Sequence, residues 1–229
     1  MKRIESVNDF VIKFANVNGS GSASANELFA KAVIRMGVPV APRNIFPSNI
    51  QGLPTWCEAR VCERGYAGRR GGVDMMVAMN PQTWETDLAE IEPGGYLLYD
   101  STRPMPPTAF RDDVQVIGVP LTQITNDAYS DPRQRQLFKN IVYVGVLSVL
   151  LDMDVSVFEK LFAEQYKGKE RLLGANLQAL QIGRDYVAQH LKAPLGIRVR
   201  RADAVGPRIF TAGHSAAAPA TNRSTKRSS

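Results

Sequence analysis

The residues that most often bind metals or act as nucleophiles are scarce in this sequence. Its 229 residues include two cysteines, Cys57 and Cys62, and two histidines. Two cysteines cannot hold an iron–sulfur cluster or a structural zinc ion unaided, because such sites take about four protein ligands. In a strand that contains both, cysteines five residues apart face opposite sides and cannot form a disulfide there. We expect free thiols in a reducing compartment.

Long hydrophobic runs are missing as well. The longest, Ile141–Leu151, has about half of the roughly 20 residues that a membrane-spanning helix needs. Met1–Val7 is polar, and the apolar segment of a signal peptide does not follow it. The sequence therefore predicts a cytoplasmic protein that does not bind a membrane.

Negative charge is nearly absent from the end of the chain. Residues 198–229 contain seven basic residues and one acidic residue, Asp203, which accounts for the whole net charge of +6. The rest of the chain is neutral overall, which argues against a nucleic-acid partner. We predict a domain at residues 1–191, a linker at 192–211 and a disordered basic tail at 212–229, where the Ala/Ser/Thr/Asn-rich composition is typical of disorder.

The segment from Phe10 to Met36 is the most informative part of the sequence. An apolar run, Phe10–Ala15, predicts a strand, and a loop of small residues, Asn16–Ser22, separates it from a helical pattern. A capping-box pattern over Ser24–Glu27 predicts the helix start, and Gly37 predicts its end. Such a loop exposes backbone N–H groups to a phosphate or another anion, because no large side chain blocks them. An ordinary tight turn is the alternative.

A second loop, Pro47–Pro54, presents polar groups on a segment restricted by two prolines, which suits ligand contact. A capped surface loop is the alternative here. The first loop has neither the Gly-Lys-Ser/Thr of a P-loop nor the Gly-x-Gly-x-x-Gly spacing of a dinucleotide site, but its glycines allow positive φ and close backbone approach. The residues that we predict to bind the ligand are Asn18, Gly19, Ser20, Gly21, Ser22, Ser48, Asn49, Gln51 and Gly52.

The order of predicted elements indicates the fold class. A strand, a loop, a helix and a second strand come first, strands then alternate with helices, and helical patterns follow Asp131. We predict an α/β fold with three α/β/α layers, a mixed and largely parallel sheet, and a helical C-terminal part. The strand predicted at Thr55–Arg64 carries Glu58 and Arg60 on one face, which predicts a sheet edge or a neighbouring polar site.

Charged candidates for a site are few. Arg60, Arg69 and Arg70 could bind a phosphate or a carboxylate, although a solvated turn is the simpler interpretation of Arg69 and Arg70. Asp100 follows a predicted strand, where sites in α/β proteins gather, but a turn or cap role is simpler. The sequence shows no hydrolase elbow, no metal-ligand cluster and no paired carboxylates. It therefore favours binding over self-sufficient catalysis.

Four separated blocks occur in the order that one family shows: Phe14–Ala23, Pro47–Pro54, Val73–Asn80 and Pro93–Asp100. Together they resemble the gamma domain of the 2-oxoacid:ferredoxin oxidoreductases (pyruvate and 2-oxoglutarate synthases) over about residues 10–191. In many relatives this domain is the N-terminal part of a fused alpha subunit. The usual family loop is Gly-x-Gly-Gly-Gln-Gly; Gly19 and Gly21 match it, whereas Asn16, Asn18 and Ser20 depart from it and resemble a fused-subunit subgroup.

The resemblance implies a role in oxidative decarboxylation of a 2-oxoacid to an acyl-CoA, with electrons passed to ferredoxin. In that family, thiamine diphosphate and iron–sulfur clusters lie mainly on other domains, and the gamma domain helps to enclose the coenzyme A side of the active site. We therefore expect coenzyme A as a substrate at the domain surface, partners that carry thiamine diphosphate and clusters, ferredoxin as an indirect partner, and no catalysis or bound cofactor in this chain alone.

The end of the chain departs from the fused relatives. Residues 208–218 resemble their linker and the start of their next domain, but Pro219 and the basic tail follow instead. A truncated product or a stand-alone gamma subunit would each explain this ending. The alternatives to an oxidoreductase subunit are a stand-alone nucleotide- or CoA-binding module and an inactive, truncated fragment of the alpha subunit.

Overall fold

The structure is a computed structural model, and it describes residues 3–47 and 50–206. The strands in this part of the chain are β1 (Ser6–Val7), β2 (Asp9–Val17), β3 (Val40–Ile45), β4 (Pro54–Cys62), β5 (Val73–Ala78), β6 (Ile91–Asp100), β7 (Gln115–Val119) and β8 (Ile197–Arg198). The helices are α1 (Ser22–Arg35), α2 (Trp84–Ala89), α3 (Leu121–Ala128), α4 (Pro132–Leu150), α5 (Val155–Gln165) and α6 (Glu170–His190).

Within the described residues, six strands form one sheet in the order β3-β4-β2-β5-β6-β7. Strands β2, β5, β6 and β7 are parallel, whereas β4 runs antiparallel to both of its neighbours. All residues of β5 are buried, as the near-continuous apolar run at Val73–Ala78 predicts for a central parallel strand. The predicted fold class, α/β with a mixed and largely parallel sheet, is confirmed.

One face of the sheet packs on α1, and the long helices α4 and α6 complete the core on this side. The rings of Phe14, Phe29 and Tyr143 pack together there, with centroids 5.4 and 6.3 Å from Phe14. Helix α4 approaches α6 closely at a glycine, because a Cβ atom on Gly145 would lie 2.2 Å from the Leu180 carbonyl oxygen. Burial between the sheet side and α6 explains why α4 is apolar all round from Ile141 onward.

The other face of the sheet has a thinner cover. Side chains of β2, β5 and β6 pack there under Trp84 and Leu88 of α2 and under Phe110. The rings of Trp84, Tyr99 and Phe110 lie 5.5 to 5.6 Å apart, centroid to centroid. The third layer is therefore one short helix with its neighbouring loops.

Strand β4 is an interior strand, so the expectation of a sheet edge is wrong. It lies between β3 and β2, and its charged side chains, Glu58 and Arg60, are buried on the face opposite Cys57. Ion pairs with Arg69 and Asp9 make that burial possible. Both cysteines are free thiols, as predicted, and both are buried.

The segment after α6 packs against the body of the domain. Strand β8 pairs with β1, and the amides of Leu195 and Val199 donate to carbonyl oxygens at the end of α4, each at 2.8 Å. The Ala202 amide donates to the Met36 carbonyl oxygen at 2.9 Å. Residues 192–206 of the predicted linker are therefore held on the domain, whereas the predicted tail at 212–229 lies outside the described residues. In the described ranges, no helix combines the length and apolar character needed to cross a bilayer.

Candidate functional site

The two predicted loops lie against each other at the carboxyl end of β2. The Asn18 amide donates to the Leu53 carbonyl oxygen at 2.8 Å, and the Gly52 amide donates to the Asn18 carbonyl oxygen at 3.0 Å. The Asn18 side chain also donates to the Ile50 carbonyl oxygen at 3.2 Å. Ligands of open α/β sheets bind beyond the carboxyl ends of the strands, which is where these loops meet.

Helix α1 begins without a side-chain cap. Gly21 is its N-cap in a left-handed conformation, with φ 78° and ψ 3°. The helix starts at Ser22, so the predicted capping box at Ser24–Glu27 is wrong: Ser24 already lies in the first turn. Because no side chain of the described residues caps the helix, the N–H groups of its first turn are available to an anion.

Gly19 also needs its positive φ of 83°. A Cβ atom there would lie 2.8 Å from Cγ of Gln51, so the Gln51 side chain packs directly over this glycine. The two loops are thus joined by side-chain packing as well as by backbone hydrogen bonds. The glycines of the first loop predicted that another group approaches its backbone closely, and at Gly19 that group is the Gln51 side chain of the second loop.

Helix α4 fixes the first loop from the side. The Asn140 side-chain amide donates to the Ser20 carbonyl oxygen at 2.8 Å, and the Tyr143 hydroxyl donates to Oδ1 of Asn26 at 2.9 Å. The Ser20 hydroxyl donates to the Ser22 hydroxyl oxygen at 3.1 Å. Asn140 was not predicted from the sequence. It is the one asparagine of α4 and directly precedes the apolar segment of that helix, and this position could have identified it as a candidate.

A cavity of about 360 Å³ lies between the start of α1, the ends of β2 and β3, and the start of β4. Of the predicted ligand-binding residues, Asn18, Gly19, Gly21 and Ser22 line it. Ser20 contributes its carbonyl and hydroxyl to the loop, and Gln51 and Gly52 are exposed beside it. Ser48 and Asn49 lie outside the described residues.

Further lining residues were not predicted from the sequence: they are Asn16, Asn26, Asn44, Phe46, Thr55, Trp56, Cys57 and Ala23. Amides, hydroxyls and apolar groups make up this wall, and none of the described lining residues carries a formal charge. A larger groove of about 900 Å³ lies elsewhere, between α1, α5 and residues 201–206, and contains none of the predicted residues.

The arginine candidates do not reach this cavity. Arg60 pairs with Asp9, Arg69 makes two hydrogen bonds of 3.1 Å to Glu58, and Arg70 pairs with Asp74. The hydrogen bond from Arg69 to Glu58 raises the pKa of the Arg69 guanidinium. The prediction of a solvated turn was therefore incomplete. Arg69 and Arg70 are about half exposed to solvent, but each also forms an ion pair.

Asp100 has the predicted cap role. Its carboxylate accepts the backbone N–H of Thr122, in the first turn of α3, at 3.2 Å and also accepts from Thr102. Burial raises the pKa of Asp100, but the hydrogen bonds from Thr122 and Thr102 outweigh burial and lower it below its ordinary value. Lys139 lies 3.9 Å from this carboxylate.

The cysteines do not fit a metal or cluster site. Burial, with the nearby Glu58 carboxylate, raises the pKa of the Cys57 thiol to about 11, so it is protonated at neutral pH. Clusters are bound by thiolates. Across residues 3–47 and 50–206, no three His, Cys, Asp or Glu side chains lie together in a way that could hold a metal ion.

Comparison with known proteins identifies the family of this chain. The chain matches the model for pyruvate ferredoxin/flavodoxin oxidoreductase over residues 11–186. It is 22% identical over 223 residues to 2-oxoacid:ferredoxin oxidoreductase 2, subunit alpha, from Aeropyrum pernix, covering 81% of this chain and 35% of that protein. It is 25% identical over 211 residues to 2-oxoglutarate oxidoreductase subunit KorA from Mycobacterium tuberculosis, covering 81% and 31%. The chain thus spans about a third of the length of these curated relatives.

Solved structures share the fold. The 2-oxoglutarate:ferredoxin oxidoreductase from Magnetococcus marinus, solved with 2-oxoglutarate, coenzyme A and succinyl-CoA bound, has a TM-score of 0.73 at 24% identity, covering 86% of this chain and 34% of that one. The keto/oxoacid ferredoxin oxidoreductase gamma subunit from Geobacter sulfurreducens has a TM-score of 0.61 at 20% identity, covering 79% and 99%. Because the family match spans residues 11–186, this chain belongs to the pyruvate ferredoxin/flavodoxin oxidoreductase family, as the four sequence blocks indicated.

Proposed function

We propose that this chain is the gamma-type part of a 2-oxoacid:ferredoxin oxidoreductase, an enzyme that converts a 2-oxoacid to an acyl-CoA and passes the electrons to ferredoxin. The observation that carries the proposal is the family match over residues 11–186, which includes the strand, loop and helix of the candidate site. The similarity in fold to a gamma subunit over 99% of that subunit's length supports a gamma-type role.

In this proposal the joined loops and the start of α1 hold an anionic group of coenzyme A at the domain surface. The uncapped helix end carries about half a positive charge, and its interaction with an anion contributes about 0.3–1 kcal/mol at an exposed site. The fold relative from Magnetococcus marinus contains coenzyme A and succinyl-CoA, which supports this choice of ligand. The contributing residues are the nine predicted above, Asn18 to Ser22, Ser48, Asn49, Gln51 and Gly52.

The remaining chemistry belongs to partner subunits. Thiamine diphosphate would supply the carbanion chemistry of decarboxylation, and iron–sulfur clusters would carry electrons to ferredoxin, both on other chains. The Cys57 thiol is protonated at neutral pH, whereas iron–sulfur clusters are bound by thiolates. This difference supports the division. This chain then encloses substrate and has no activity alone. Free, buried thiols also suit a reducing compartment, and we propose the cytoplasm.

Co-expression tests this function. The full chain is produced with the thiamine- and cluster-carrying subunits encoded beside it, and ferredoxin reduction is measured with a 2-oxoacid and coenzyme A. We expect co-purification and activity only when this chain is present, and no activity from the chain alone. Partners that are fully active without it, or that never co-purify with it, would contradict the proposal. Binding of coenzyme A by a chain that never co-purifies with a partner would instead indicate a stand-alone module.

A further inference from the structure

The cavity at the start of α1 contains a buried hydrogen-bond donor without a partner. Asn16 lines the cavity and is 3% exposed, and its side-chain nitrogen has no hydrogen-bond partner in the described part of the chain. Buried polar groups in folded proteins are nearly always paired, because an unpaired one loses its hydration without compensation. An unpaired donor in a cavity wall therefore indicates a ligand that supplies the acceptor.

None of the neighbouring polar groups in the described part of the chain accepts a hydrogen bond from the Asn16 amide, and the buried ones among them have partners of their own. The Thr55 hydroxyl, across the strand pair from Asn16, donates to the Ile45 carbonyl oxygen at 3.3 Å. Oδ1 of Asn26 accepts from the Tyr143 hydroxyl at 2.9 Å. Asn80 donates to the backbone oxygen of Asn16 and leaves the side-chain amide untouched. The protein around the cavity is thus hydrogen-bonded, and the Asn16 amide remains available.

The charge distribution around the cavity restricts the chemical class of the ligand. The described lining residues carry no formal charge, and the positive end of the α1 dipole lies at one side of the cavity. An anionic group fits the helix end, whereas a charge placed against Asn16 would be buried without a counter-charge. The volume of about 360 Å³ corresponds to about a dozen water molecules at roughly 30 Å³ each, enough for an extended uncharged group.

We propose that the cavity binds the amide-bearing arm of a phosphate ester, with the phosphate at the first-turn N–H groups of α1 and an amide carbonyl accepting a hydrogen bond from Asn16. An amide pairs with an asparagine side chain as donor and acceptor at once. This inference rests on the proposed function in one respect: coenzyme A has such an arm in its phosphopantetheine portion. The other end of coenzyme A, the adenosine bisphosphate, has no carbonyl group.

Calorimetry on the full 229-residue chain tests the inference, with 4′-phosphopantetheine, adenosine 3′,5′-bisphosphate and inorganic phosphate as probes. In Asn16→Leu, which has similar size but no donor, we expect affinity for 4′-phosphopantetheine to fall at least tenfold. Affinity for inorganic phosphate should stay unchanged. The melting temperature of the ligand-free variant should rise, because the substitution removes an unpaired buried amide.

Asn176 provides a matched control. It is 4% exposed, lies in α6, and donates to the Leu172 carbonyl oxygen at 2.8 Å. Asn176→Leu should therefore lower the melting temperature while leaving 4′-phosphopantetheine binding unchanged. A melting temperature that falls in Asn16→Leu as it does in the control would show that the Asn16 amide is paired within the protein, which overturns the inference.

The binding outcomes are equally decisive. Equal affinity of Asn16→Leu and the natural chain for 4′-phosphopantetheine overturns the inference, as does preference for adenosine 3′,5′-bisphosphate. Failure of the natural chain to bind 4′-phosphopantetheine at millimolar concentration overturns it too. None of these results touches co-purification or ferredoxin reduction, so the proposed function can stand when this inference fails. If the chain binds 4′-phosphopantetheine as expected but neither co-purifies with the partner subunits nor contributes to their activity, only the proposed function is refuted.

Discussion

A Gly21→Asp substitution places a carboxylate at the point where the proposed site receives an anion. Gly21 is the N-cap of α1 with φ 78°, and a Cβ atom there would meet only Nδ2 of Asn140, at 3.5 Å. The side chain therefore has room. The left-handed backbone costs an L-residue about 1–2 kcal/mol, and aspartate is among the residues that tolerate it best. Because aspartate is also a favourable N-cap, the net loss of folding stability should stay within about 1 kcal/mol.

Ligand binding should respond much more strongly. Two unit charges 4 Å apart repel by about 1 kcal/mol in water and by about 4 kcal/mol at the effective dielectric constant of a protein surface. At about 1.4 kcal/mol for each tenfold change, the dissociation constant of coenzyme A should rise by about 5-fold to several hundredfold. The measurement is calorimetric titration of the chain with coenzyme A at low ionic strength.

Gly21→Asn is the control for this substitution. It has the same size, the same left-handed backbone and a comparable capping ability, but no charge. The two variants should have similar melting temperatures and should differ in coenzyme A affinity. Equal affinity in both variants would refute the argument that an anion binds at this helix end.

Three further predictions concern other parts of the structure. Gly145→Ala should cost about 1–3 kcal/mol and lower the melting temperature, because its Cβ would lie 2.2 Å from the Leu180 carbonyl oxygen, whereas Gly174→Ala, with nothing within 4 Å, should not destabilise. Asn140→Ala should lose about 0.5–1.5 kcal/mol in denaturant unfolding and weaken coenzyme A binding, since it releases Ser20; unchanged binding would show that α4 does not hold the loop. Asp100→Asn should destabilise the chain at pH 7, and because the pKa of Asp100 is lowered in the folded state, the difference should shrink as pH falls below about 4 in a pH series of melting temperatures.

The local part of the site could be predicted from the sequence. The strand, the loop and the helix of the first segment were found from an apolar run and two glycines, and both glycines have positive φ. The predicted helix start was three residues late, because the N-cap is Gly21 and not Ser24 of the pattern that resembled a capping box. A local pattern was thus reliable for the kind of element and less so for its boundary.

The long-range part could not be predicted in the same way. Asn140 acts on Ser20 across 120 residues, and β1 pairs with β8, which are two-residue strands at opposite ends of the domain. No local periodicity reports such pairings. The eight-residue helix α3 was also not predicted. Its first turn is held by Asp100, which lies at the end of strand β6. The position of β4 inside the sheet likewise depends on antiparallel pairing with both β2 and β3.

Strand alternation explains why the candidate site contains dipoles rather than charges. Along β2, Phe14 and Asn16 point to the face that packs on α1, whereas Lys13 points to the other face and pairs with Glu90. Along β4, Cys57 shares the α1 face, whereas Glu58 and Arg60 lie opposite with their partners. Because β2 and β4 pair in register, Phe14 opposite Cys57 and Lys13 opposite Glu58, the charged residues of both strands fall on one face together. The polar groups that line the cavity on the α1 face are therefore amides and hydroxyls. Recognition of a ligand there depends on the direction of its hydrogen bonds and on the helix dipole.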